Sequence, residues 1–132
     1  TIKEKEFLRK IISVFKNKGI RTSIFVAPDL KIINGALATG TDRIELYTES
    51  YANLYYTDKE KAIQKFIKAA ELANKLDIGI NAGHDLSLEN LTYFNLNIPN
   101  LLEVSIGHAL ISDSLIYGLE KTIKLYLGKL CN

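Results

Sequence analysis

The chain has two histidines, His84 and His108, and each directly follows a glycine at the end of an apolar run: Ile80-Asn81-Ala82-Gly83-His84 and Val104-Ser105-Ile106-Gly107-His108. A glycine lets backbone amides come close to a ligand, and a helix starting just beyond it aims unpaired N–H groups at an anion. An imidazole beside that anion titrates near neutral pH and can serve as a general acid. The chemistry implied is capture of a phosphate by backbone and protonation of its carrier by histidine. The alternative is that either histidine caps a helix or bonds a neighbouring loop. Glu45 is a third candidate, in the middle of Asp42–Thr48 with inward parity, where a carboxylate must be paired, hydrogen-bonded or shifted in pKa. It has two readings: a structural pair with Arg43, two residues away on the same face, or a catalytic or charge-stabilising role. Glu103, near the start of its run, reads as part of the stability face.

Regular elements must hold these residues in place. Phe7, Leu8, Ile11, Ile12, Val14 and Phe15 recur at helical spacing among Lys and Glu, with Gly19 placed as a C-cap. Thr22–Ala27 is short, β-branched and stopped by Pro28-Asp29, as a strand running into a helix start would be, and that helix ends at Thr39-Gly40. Asp42–Thr48 is the second strand. A long loop from Glu49 follows, long enough for a lid and by default a solvated connection. A helix then spans Asp58–Lys75, with Ala62, Phe66, Ala69, Ala70, Leu72 and Ala73 on its apolar face. Ile78–Ala82 is the third strand, Leu86–Phe94 a short helix opened by Ser87, Leu102–Ile106 the fourth strand, and Ala109–Leu130 one closing helix. Strands alternating with helices imply parallel pairing through right-handed crossovers, an α/β class.

Three strands alternate in a way that narrows the class. Arg43, Glu45, Tyr47; Gly79, Asn81, Gly83; and Glu103, Ser105, Gly107 fall on one parity, while the other parity is apolar throughout. A doubly wound open sheet is apolar on both faces, whereas a barrel interior around a ligand is not. A TIM barrel needs eight strand–helix units and about 250 residues. The 132 residues supply four units, so the expected architecture is a half barrel forming a single domain over residues 1–132.

Composition removes several functions. At 47% hydrophobic and 24% charged the chain folds, and a formal net charge of +2 spread along helices gives no basic field for nucleic acid. No apolar run approaches the ~20 residues of a bilayer span, and the start, Thr1-Ile2-Lys3-Glu4-Lys5-Glu6, is too charged for a signal peptide. The lone Cys131 reads as a free thiol in a reducing compartment, which places the protein in the cytoplasm. Any phosphate here is held by backbone amides and two histidines more than by a basic field.

Four segments carry a family resemblance: Arg21–Asp29 (RTSIFVAPD), Asp42–Thr48 (DRIELYT) with Tyr51-Ala52, Ile80–His84 (INAGH), and Val104–Ile111 (VSIGHALI) with Gly118-Leu119. In this order they resemble the C-terminal half of pyridoxine 5′-phosphate synthases, over nearly the whole chain. The resemblance implies strands 5–8 of a (β/α)8 barrel and condensation of 1-deoxy-D-xylulose 5-phosphate with 3-amino-2-oxopropyl phosphate to pyridoxine 5′-phosphate, phosphate and water. By the matching motifs His84 would be the proton donor and Glu45 the transition-state stabiliser. Asp85, Gly107 and His108 would bind the aminooxopropyl phosphate, with no metal and no cofactor. Expected partners are small phosphorylated substrates, not nucleic acid or membrane. The family's octamers imply a homo-oligomer, or the half barrel needs a missing N-terminal half and is inactive alone. The sequence departs from the family pattern at Asp85 and Glu49, where glycines are usual, at Tyr47 in place of His, and at Asp113 in place of Arg. The alternatives are a non-catalytic half-barrel assembly or binding module, and another phosphate-binding barrel enzyme.

Overall fold

The computed structural model of the chain describes residues 4–131. Thr1-Ile2-Lys3, part of the charged start, lies outside the described residues. Four parallel strands, β1 (Ser23–Val26), β2 (Arg43–Tyr47), β3 (Gly79–Gly83) and β4 (Leu101–Ser105), form one sheet in chain order, β1-β2-β3-β4. Helices α1 (Lys5–Lys16), α2 (Leu30–Leu37), α3 (Glu49–Tyr55), α4 (Lys59–Lys75), α5 (Leu91–Asn97), α6 (His108–Tyr117) and α7 (Leu119–Leu130) fill the connections. This is the expected α/β half barrel. No helix among the described residues is long and apolar enough to cross a membrane.

The alternating parity is realised in the register. Arg43 pairs with Gly79, Glu45 with Asn81 and Tyr47 with Gly83, while Asn81 and Gly83 pair with Glu103 and Ser105. These residues share the concave face. Ile44, Leu46, Ile80 and Ala82 point the other way and are fully buried under the helices. Burying each of the larger ones stabilises the fold by about 1.5–3 kcal/mol relative to exposure. Helix α4 covers this side with Ala62, Ile63, Phe66, Ala69, Ala70 and Ala73; its small residues let it lie close to the sheet. Asp29 and Asp58 cap α2 and α4, their carboxylates accepting from Lys31 and Ile32 amides and from the Lys61 amide.

Three expectations change. The stretch from Glu49 is not a loop but helix α3, because Tyr51 is fully buried and packs edge-on against Phe66 and Phe94, at 6.0 and 5.0 Å between centroids. Tertiary burial overrides its polar look. The helix expected at Leu86–Phe94 begins later, at Leu91, because Ser87 does not open it: the Asn90 side chain takes the Ser87 amide and ties residues 85–90 into a turn. The closing helix is two helices, broken at Gly118, whose φ of 81° is a left-handed conformation that glycine adopts without penalty.

Candidate active site

The strand ends converge. Beyond β3 the chain runs Gly83-His84-Asp85, and beyond β4 it runs Ile106-Gly107-His108 into the first turn of α6. Both ends open into one cleft of about 910 Å³ that His84, Asp85, Gly107 and His108 line together, with Asn53 and Tyr56 from the α3 side. Four of the five residues singled out in the sequence thus share a cavity. Glu45 is not among its lining residues. It lies on the concave face beneath the cleft, its carboxylate occupying the space where a side chain on Gly83 would stand. Arg43 is not its partner, because Arg43 reaches across the sheet to Asn81 and Glu103 instead. Glu103, the third residue of β4, thus joins Arg43 and Arg21 in a structural ion-pair network toward the amino-terminal ends of the strands.

The turn after β3 is held from below. His84 and Asp85 adopt φ of 82° and 54°, left-handed values that cost a non-glycine residue about 1–2 kcal/mol unless their surroundings impose them. Two buried polar side chains impose them here. The Thr48 hydroxyl bonds the Gly83 carbonyl at 2.8 Å and also the His84 carbonyl. The Asn90 amide bonds the Asp85 carbonyl at 3.1 Å while Tyr51 donates to the Asn90 carbonyl at 2.7 Å. Neither Thr48 nor Asn90 was singled out in the sequence. The available signal was position: a hydroxyl directly after β2, and an amide five residues beyond Asp85.

Two contacts fix the His84 ring. Its Nδ1 lies 2.8 Å from the Asp85 carboxylate, and the Tyr47 ring meets it edge-on at 4.8 Å between centroids. The Tyr47 hydroxyl is raised above its usual pKa, chiefly by its hydrogen bond to Glu49 and then by burial and the nearby Glu49 and Asp85 charges. Tyr56 donates to Glu89 and is raised for the same leading reason. The cleft lining contains no Lys or Arg. What it offers an anion is backbone: the amides of His84, Asp85, Gly107 and His108 find no protein acceptor among the described residues. Asp113 is turned to other use, accepting from the Tyr126 hydroxyl at 2.8 Å.

Four parallel strand–helix units with a polar concave face, and candidate chemistry gathered at the carboxyl ends of the strands, define a partial TIM barrel. The chain matches the family model described as Pyridoxal phosphate biosynthesis protein PdxJ over residues 1–132, and it belongs to that family. It is 58% identical over 130 residues to pyridoxine 5′-phosphate synthase of Flavobacterium johnsoniae, covering 98% of this chain and 55% of that protein. To the synthase of Parabacteroides distasonis it is 60% identical over 121 residues, 92% of this chain and 51% of the other. To that of Cytophaga hutchinsonii it is 57% identical over 130 residues, 98% and 55%. The chain spans about half the length of the curated relatives it matches.

Proposed function

We propose that the chain supplies the C-terminal half of a pyridoxine 5′-phosphate synthase active site, which condenses 1-deoxy-D-xylulose 5-phosphate with 3-amino-2-oxopropyl phosphate. The observation that carries this reading is the single cleft into which both Gly-His strand ends open, with four unpartnered backbone amides around it. In this reading the amides of Asp85, Gly107 and His108 cradle the phosphate of the aminooxopropyl substrate, α6 adding the positive end of its dipole. His84 gives a proton to an oxygen of the substrate. Glu45, on the concave face below, stabilises positive charge that develops as the ring closes.

The remaining ligands come from the preceding half of the barrel, which also covers the two open sheet edges. The exposed Phe25 of β1 and Leu102 of β4 fit a surface closed by further chain. The protein acts in the cytoplasm as a homo-oligomer. The test is turnover by the full-length protein with both phosphorylated substrates. His84→Ala should lower kcat at least about a hundredfold, and His108→Ala should raise the KM for aminooxopropyl phosphate about tenfold with a smaller change in kcat. Retention of full kcat by His84→Ala overturns the assignment.

A further inference from the structure

We propose that Asp85 is a positioning residue for His84, its carboxylate holding the imidazole as the Nδ1–H tautomer so that Nε2 alone faces the cleft. This rests on the reading of His84 as proton donor and deepens it. The two side chains are neighbours in sequence, and in an ordinary extended or helical backbone adjacent side chains diverge. Here both residues are left-handed, and that backbone brings the Asp85 Oδ2 to 2.8 Å from Nδ1. The conformation is built in, because Thr48 holds the His84 carbonyl and Asn90 the Asp85 carbonyl.

A carboxylate only accepts, so the nitrogen facing it carries a hydrogen. Tyr47 packs edge-on against the ring. Nε2 has no protein partner among the described residues, and His84 lines the cleft. When the imidazolium donates, the N–H bond broken is that at Nε2. The proton goes to a substrate oxygen, and the electron pair stays on Nε2. The neutral ring that remains is the Nδ1–H form still bonded to Asp85.

The experiment is imidazole ¹⁵N NMR of the full-length protein, labelled at histidine, for wild type, Asp85→Gly and Asp85→Asn. Both substitutions suit a left-handed backbone, so neither should unfold the turn. The expected result is an Nδ1–H tautomer for neutral His84 in the wild type and a shift to Nε2–H in Asp85→Gly, with Asp85→Asn between them or like glycine. In parallel, kcat should fall about tenfold or more in Asp85→Gly while KM for either substrate changes less than about threefold. A wild-type His84 already in the Nε2–H form, or a tautomer unchanged by Asp85→Gly, overturns the proposal. So does a fall in KM with kcat preserved, the outcome expected of a carboxylate that merely repels phosphate. The tautomer is read without turnover, so a full kcat in His84→Ala would defeat the proton-donor reading and leave the Asp85–His84 pairing separately decided.

Discussion

Arg43 on β2 is bonded to Glu103 on β4, across the strand that separates them. Its stem lies over Gly79, where a Cβ would sit 2.8 Å from the Arg43 Cγ, and its guanidinium reaches Asn81 at 3.2 Å and then the Glu103 carboxylate. Arg21 joins Glu103 at 3.0 Å from beside β1. One carboxylate thus gathers two guanidinium groups at the lower end of the concave face. The arrangement depends on glycine at position 79, since any side chain there would lift the arginine off the sheet. Glu103→Ala should destabilise by about 1–2 kcal/mol, because Arg43, only 17% exposed, is left without its anion. Gly79→Ala should cost a similar amount, and the double variant less than the sum of the two. Chemical denaturation of all three forms gives the coupling, and strict additivity would count against the bridge.

Asp42 ties α1 to the start of β2, accepting from Lys16 at 2.8 Å and from the Thr22 amide at 2.8 Å. These bonds, Lys16 first, lower its carboxyl from 3.8 to about 2. A carboxylate depressed in the fold contributes stability above its unfolded pKa, and that contribution is lost as the pH falls through its folded value. The Asp42 contribution should therefore be complete above about pH 4 and vanish between there and about pH 2. Unfolding of wild type and Asp42→Asn should differ at pH 6 and converge near pH 2. A difference that persists unchanged to pH 2 would remove Asp42 from the acid sensitivity.

Glu45 and Gly83 occupy one space. A methyl group at Gly83 would meet the Glu45 carboxylate, which can swing, and would stand 3.1 Å from Ser105 Cβ, which has little room to yield. Gly83→Ala is expected to cost about 1–2 kcal/mol of stability and to lower turnover of the full-length protein about tenfold or more by displacing Glu45. The same substitution made on Glu45→Ala should have little additional effect on kcat. An undiminished effect in that background would mean that Gly83 matters through the cleft alone.

Tyr51 is fully buried, and its hydroxyl donates to the Asn90 carbonyl. Burial leads a strong upward shift of that hydroxyl from its usual pKa. Tyr51→Phe keeps the ring contacts with Phe66 and Phe94 and removes only this bond, which should cost about 1–2 kcal/mol by leaving a buried carbonyl unpaired. Through Asn90 the loss should also loosen residues 85–90, seen as faster amide exchange there than in α4. Equal exchange in both forms would separate Tyr51 from the turn.

Strands and the larger helices could be read from the chain because their patterns are physical requirements of burial. β2 must alternate if one face meets α4 and the other does not, and α4 must repeat its small residues to lie close. The break at Gly118 was not legible, since a glycine between two helical stretches reads as a tolerated interior residue until its φ is known. α3 was hidden for the opposite reason: its helical stripe consists of tyrosines that look like loop residues until Phe66 and Phe94 are brought against them. Within the site, His84, Gly107 and His108 announced themselves by ending strands in Gly-His pairs, whereas Asp85 came only from the family resemblance. Glu45 announced itself by parity, but its neighbour did not. Two charges on one strand face look paired, whereas Arg43 is long enough to cross β3 over a glycine, and only the register shows which carboxylate it meets. Thr48 and Asn90 carry no chemistry of their own and become visible only through the carbonyls they hold.

The sheet runs in chain order, and this governs how it can assemble. Each strand finds its partner in the segment just before it, the longest such span being that from Arg43 to Gly79. Loop closure grows only logarithmically costlier with length, so none of these pairings waits on a distant part of the chain. Each pairing is nonetheless parallel and must span a whole crossover helix, the kind of non-local contact that slows folding. In a polypeptide leaving the ribosome both members of the β1–β2 pair exist before β3 has been made, so the strands become available in the order in which the sheet needs them.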